Sequence, residues 1–183
     1  MIRPYMRNTG CIVAAILFLF LSWLDPAQAG TKTWTATTGD WFTAANWVEN
    51  AYPTNGDDVV ITNAGASVLL TNSTEYLSSI TLSAPGLSTN TLVFSNWDTT
   101  LFATNVYVRT NATVTLPLAF TTNAGMSNNV YIVCSNMTID TGGSINVDGR
   151  GYDGGNAAAG YGPGGGLYAS GVGSAGGHGG YGG

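Results

Sequence analysis

A period of two constrains this chain more than any other feature. From Ala112 the even positions read Ala112, Val114, Leu116, Leu118 and Phe120, with Thr113, Thr115, Pro117 and Ala119 between them. Such alternation puts apolar side chains on one face of an extended strand and leaves the other face to solvent. Pro117 brings no amide hydrogen, so a kink, a bulge or a sheet edge is expected there. Similar short runs fall at Val59 to Thr62, Ser67 to Leu70, Leu77 to Ser83, Thr91 to Phe94, Val106 to Arg109, Val130 to Cys134 and Ser144 to Val147. Thr, Val, Ile, Leu and Tyr dominate them, as a half-buried pleated surface prefers. No stretch beyond residue 30 carries a sustained apolar stripe at helical spacing, and a single turn near Thr43 to Trp47 is the most helix expected. The fold class is therefore all-β.

Thr-Asn pairs punctuate the strands, at Thr62-Asn63, Thr71-Asn72, Thr89-Asn90, Thr104-Asn105, Thr110-Asn111 and Thr122-Asn123. Asn tolerates the left-handed backbone region better than other residues that carry a side chain, so these pairs are expected at tight corners. Short strands with recurring Asn corners predict a parallel β-helix, a solenoid in which Asn side chains can ladder from one turn to the next. The spacing is irregular, so the repeat is degenerate. A β-sandwich made of the same strands is the alternative. Asn55-Gly56 precedes the first strong strand and Asp148-Gly149 follows the last, so no such hairpin pair joins two neighbours.

The first residues serve another purpose. Arg3 and Arg7 precede an apolar run from Cys11 to Leu24, and Ala27-Gln28-Ala29 is a small-x-small cleavage pattern. Residues 1–29 are read as a secretory signal peptide. The run is shorter than the ~20 apolar residues of a spanning helix, and no second one follows, so no transmembrane span is expected after cleavage. Beyond it only Lys32, Arg109 and Arg150 are cationic, in a chain with 10 acidic residues. That is too little positive charge to neutralise a row of phosphates, which excludes nucleic acid as a partner. Charged residues make up 8% of the chain, against about 25% in ordinary globular domains. Solubility must come from Thr, Asn, Ser and Gly, which suits a secreted or cell-surface location. Cys134 is the one cysteine beyond the leader. It shares the phase of Val130 and Ile132, and is expected to pack inward as a small apolar residue.

The opening of the mature chain has the most specific pattern. Trp34 is followed by Gly39-Asp40-Trp41, by Ala45-Asn46-Trp47, and by Pro53-Thr54-Asn55-Gly56-Asp57-Asp58-Val59-Val60-Ile61. This string resembles the mature N-termini of large bacterial exported surface proteins with β-helical passengers, the autotransporter-like adhesins. The likeness continues more loosely through Ser79-Ile80-Thr81-Leu82, Thr91-Leu92-Val93-Phe94 and Thr100-Leu101-Phe102. It implies that this segment opens a solenoid displayed outside the cell. The physical account of the tryptophans is a cap: the end of a stack exposes an apolar cross-section that a terminal unit must cover. Trp34, Trp41 and Trp47 are assigned to that packing. Trp97 lies between strands, in Ser95-Asn96-Trp97-Asp98, and is the candidate for contact with a glycan.

Residues 149–183 are dominated by glycine, punctuated by Tyr152, Tyr161, Tyr168 and Tyr181. Apolar side chains there are too few to offset the ordering entropy of glycine, so disorder or loose loops are expected. Asp148 and Asp153 are the calcium candidates, in a single imperfect copy of a Gly-x-Gly-x-Asp repeat. Gly155 stands where that repeat needs a large apolar residue. His178 is the only histidine and makes no catalytic dyad or metal set by itself. Because the chain stops inside this tract, further β-structure is expected to follow it. The sequence thus divides into a signal peptide (1–29), an N-terminal cap (30–58), a solenoid (59–148) and a glycine-rich tract (149–183). The expected role is a non-catalytic structural or adhesive module, without a resident cofactor, meeting glycans or cell-surface components. The N-terminal fragment of a polysaccharide-acting β-helix enzyme, with its active site elsewhere, is the alternative.

Overall fold

The computed structural model describes residues 29–121, 128–154, 158–162, 165–169 and 171–173. The expected signal peptide up to Gln28, the corner Thr122-Asn123, Gly155, His178 and Tyr181 lie outside the described residues.

Ten strands build two parallel sheets of five. The first sheet comprises β1 (Thr31–Thr33), β3 (Asp58–Ile61), β5 (Leu77–Leu82), β7 (Leu101–Val108) and β9 (Ile132–Ile139), in that order. The second comprises β2 (Thr38–Asp40), β4 (Ser67–Leu70), β6 (Asn90–Phe94), β8 (Ala112–Thr115) and β10 (Gly143–Ile145), again in chain order. The chain therefore alternates between sheets. Within these ten, each strand from β1 to β8 pairs with the one two places further on, and consecutive strands do not pair with each other. One strand from each sheet forms a tier. A third ladder starts at the far end, where Phe120 bridges Tyr152 in parallel. A single 3₁₀ turn at Ala44–Asn46 is the helical element among the described residues, at the position the sequence suggests.

Register aligns like with like. Val59 sits beside Ile80, Ile80 beside Val106, and Val106 beside Met137. Ile61, Leu82, Val108 and Ile139 make a second column in the same sheet. Val68, Leu92, Val114 and Ile145 make one in the other. The inward residues of the two sheets meet in one core, joined by Phe94, Leu70, Leu77 and Leu101. Each such buried aliphatic side chain contributes about 1.5–3 kcal/mol of transfer free energy. The outward positions mix Thr, Ser and Asn with Val60, Leu69, Val93, Phe102 and Tyr107, all less buried than the inward columns.

Four sequence expectations are corrected. The alternation from Ala112 does not make one strand to Phe120. Strand β8 stops at Thr115, two residues before Pro117, and Leu118 is 80% exposed. Proline cannot donate to the ladder, so the chain leaves the sheet there. Conversely, the separate runs at 100–102 and 106–109 belong to one strand, β7. Its inward residues are Leu101, Ala103, Val106 and Val108, so the phase slips between Ala103 and Val106. The pairing skips Ser78 and Thr104 in one ladder and Thr104 and Ser135 in the next, so the slip recurs from tier to tier.

The corners also work differently. Of the described Thr-Asn pairs only Asn111 has a left-handed backbone, with φ 59°. The others act through their amides. Asn63 Nδ2 donates to Ala36 O at 2.8 Å, and Asn105 accepts at 3.0 Å from Asn136 in the next tier. Finally, the described part of the glycine-rich tract is not without structure. Strands β11 (Tyr168–Ala169) and β12 (Val172–Gly173) pair antiparallel, and Tyr161 N donates to Asp153 O at 2.9 Å. Backbone hydrogen bonds supply there what side chains do not.

Candidate functional site

The two ends of the sheets differ, and the difference defines the surface of interest. At the first end the chain covers itself. Residues 46–49 run back along β1: Thr35 N donates to Asn46 O and Val48 N to Thr33 O, each at 2.9 Å. Trp34 and Trp47 form an antiparallel bridge within that strap. The outer edge of β2 is met by side chains. Asn46 Nδ2 donates to Asp40 O at 2.8 Å and Trp47 Nε1 to Trp41 O at 2.7 Å. Trp34, Trp41 and Trp47 are brought together, all buried, with edge-to-face ring contacts of 5.0 Å from Trp47 to each of the others.

This geometry gives a reason for each letter of the opening motif. At Gly39 a Cβ would fall inside contact distance of the Asn46 amide, so only glycine leaves room for that carboxamide. Gly56 has φ +83°, which favours glycine, and its N–H donates to Tyr76 O at 2.7 Å. Asp57 is buried. It accepts from Gly30 N at 2.7 Å and from Thr54 N at 2.8 Å, and so ties the chain start to the turn before β3. The Pro-x-x-Gly-Asp spacing puts Asp57 three residues after Thr54, so that its carboxylate reaches back to the Thr54 N–H.

At the other end, β9 and β10 are the last strands of their sheets. The three apolar columns continue into this tier, and among the described residues no further strand pairs with it. Their members in the earlier tiers are fully buried, whereas Met137 is 38%, Ile139 47% and Ile145 40% exposed. Between the sheets this leaves an open groove of about 530 Å³. Leu116, Ile132, Met137, Ile145 and Val147 form most of its wall. Trp97 stands on its rim, 54% exposed, on the loop between β6 and β7. Asn128 and Asn129 also line it, and their Oδ1 atoms have no hydrogen-bond partner; Asn128 is 4% exposed. A buried amide oxygen without a partner costs free energy until a donor reaches it.

Trp97, the glycan candidate, therefore belongs to a surface that is mainly aliphatic. Two amides are few hydrogen-bonding groups to replace the water around a sugar, and an apolar occupant suits the wall better. Asp148 and Asp153 are both exposed, and among the described residues no three His, Cys, Asp or Glu side chains gather as a metal set. Cys134 is half-buried on β9 and packs against the core beside Val130 and Ile132. Arg109 pairs with Asp140 at 3.0 Å on the surface and lies 5.0 Å from the Tyr107 ring centre. No helix among the described residues is long and apolar enough to cross a membrane.

Fold and surface together define a class: an all-β protein of two parallel sheets in tiers, with a tryptophan-rich strap at one end and, among the described residues, an exposed apolar groove at the other. No known protein family, curated protein or solved structure matches the chain.

Proposed function

We propose that this chain is a non-catalytic β-solenoid module, secreted or displayed at the cell surface, that serves structure and adhesion. The observation that carries the reading is the tier-on-tier register. Every strand of a sheet pairs in parallel with its counterpart in the next tier, while consecutive strands go to opposite sheets. A sandwich of hairpins would pair consecutive strands antiparallel; a coil that climbs one tier per turn pairs them as found. The Trp34–Trp41–Trp47 cluster with its strap acts as the terminal cap such a coil needs. Outward Thr, Ser and Asn, interspersed with Phe102 and Tyr107, offer a surface for glycans or other cell-surface components. The exported, autotransporter-like origin rests on the opening motif and the leader at residues 1–29.

Two measurements test it. A crystal or NMR structure of the chain should show β5 paired in parallel with β3 and β7; antiparallel pairing of consecutive strands refutes the solenoid. Incubation with polysaccharides and cell envelopes should show retention without products. Release of new reducing ends or unsaturated sugars would overturn the non-catalytic reading in favour of a β-helix enzyme.

A further inference from the structure

We propose that removal of the leader at the Ala29–Gly30 bond creates an α-ammonium at Gly30 that pairs with the buried carboxylate of Asp57, so that maturation completes the N-terminal cap. The inference rests on the reading of residues 1–29 as a secretory leader.

Among the described residues Asp57 is the one charged side chain that is buried, at 1% exposure. Three donors reach its carboxylate. Thr54 N at 2.8 Å and Thr54 Oγ1 at 3.1 Å meet Oδ2, and Gly30 N meets Oδ1 at 2.7 Å. In the unprocessed chain all three donors are neutral. The ion pair found among the described residues is Arg109–Asp140, far along the chain. Lys32, the cation closest in sequence, stands in register with Val59. A buried charge is costly unless it is both hydrogen-bonded and paired, and Asp57 has the hydrogen bonds without the pair.

Gly30 is the donor that processing changes. Hydrolysis by a leader peptidase breaks the C–N bond between Ala29 and Gly30. Water supplies the second oxygen of the Ala29 carboxylate, and both of its protons end on the Gly30 nitrogen, which becomes –NH₃⁺. That nitrogen already lies at ion-pair distance from Oδ1, so the charge arises in place. Its neighbour atoms are fixed as well: Gly30 O accepts from Asp58 N at 2.8 Å, where the β1–β3 ladder begins. Ala29 and Gly30 are exposed, so the other ammonium protons keep water and the new cation is not itself desolvated. Two independent observations thus meet at one atom. The small-x-small pattern Ala27-Gln28-Ala29 selects the bond, and the fold places the nitrogen of that bond on the buried carboxylate. Cleavage one residue away would displace the charge by about 3.3 Å along the chain. The leader-bearing chain keeps the hydrogen bond but lacks the charge, so its cap is held less firmly than that of the mature chain.

The test uses the full chain exported by a bacterial host and purified after processing. N-terminal sequencing should return Gly30; any other first residue overturns the inference at its premise, the leader reading. The pairing is tested separately by acylating the α-amine of the processed chain with acetic anhydride at about pH 7, where Lys32, the other amine, reacts far less. A carboxylate at this distance favours the ammonium on the order of tenfold, so Gly30 should acylate about tenfold more slowly in the folded chain than in urea. Acetylation leaves an N–H for Oδ1 and removes only the charge. The acetylated chain should therefore show an unfolding constant about tenfold larger. In Asp57→Asn both effects should vanish, whereas Asp58→Asn should retain them. An acylation rate that is equal in folded and unfolded chains, or that stays slow in Asp57→Asn, refutes the pairing. Should Asp57→Asn fail to fold, urea unfolding of the processed chain with and without acetylation decides, and coincident midpoints sink the proposal.

Discussion

Asn90→Ala is the substitution that probes the architecture most directly. Asn90 opens β6 and its side chain is fully buried at the corner between the sheets. Its Oδ1 accepts from Ala66 N at 2.7 Å, one tier earlier. Its Nδ2 donates to Ser83 O at 2.6 Å, with a long contact of 3.4 Å to Ile61 O. Alanine removes all three and leaves no polar atom in their place. Ala66 is buried, so its N–H loses its partner without gaining water, at about 1–3 kcal/mol. The Ser83 carbonyl is only half-buried and recovers part of its loss from solvent, so it adds about 1 kcal/mol. The 3.4 Å contact adds little. The sum is ~2–4 kcal/mol, a large share of the 5–15 kcal/mol that holds a typical domain together. For a chain of this size that is a fall in Tm of roughly 5–15 °C. Fluorescence of the three buried tryptophans reports the unfolding. Asn72→Ala is the control, because Asn72 is exposed and bonds only the neighbouring Ser73 N. If Asn90→Ala and Asn72→Ala unfold within about 0.5 kcal/mol of each other, the corner amides do not bind tier to tier as described.

Three further outcomes are expected. Gly143→Ala should lower stability by about 2 kcal/mol or more, because a Cβ there runs into the Val108 and Arg109 carbonyls; an unchanged thermal midpoint would mean the β9–β10 turn is built otherwise. Trp47→Phe keeps a ring in the cluster but loses the bond to Trp41 O, and should cost about 1–3 kcal/mol in urea unfolding; a neutral result would deny that bond its part in closing the first end. Arg109→Ala should change stability by less than about 1 kcal/mol, since its pair with Asp140 is on the surface; a larger loss in the same assay would assign that contact a role in holding the last tiers together.

How much of this was legible in the sequence follows from how local each feature is. Alternation is local, and it located most of the ten paired strands and the inward Ala112 and Val114 of β8. Where the phase slips, at Thr104-Asn105, the same rule broke one strand into two. Strands β1 and β2 went unseen as strands because three residues such as Thr31-Lys32-Thr33 carry no period. Their place in the sheets comes from the backbone of β3 and β4. The tier spacing was hidden because the sequence step from a strand to its partner runs from 21 residues at Asp58–Ser79 to 31 at Asn105–Asn136.

The sequence alone determined an all-β chain, its principal strand-forming segments, the turn at 44–46 and a tryptophan-rich opening. Each of these follows from the chemistry of a few adjacent residues. Tertiary structure decided which strands pair, that Asp57 and Asn90 are buried, and that Met137, Ile139 and Ile145 lie open while residues of the same kind in the same columns are covered. Burial depends on what lies on top of a side chain. In a tiered sheet that neighbour comes from another turn of the chain, so no local pattern can reveal which members of a column are covered.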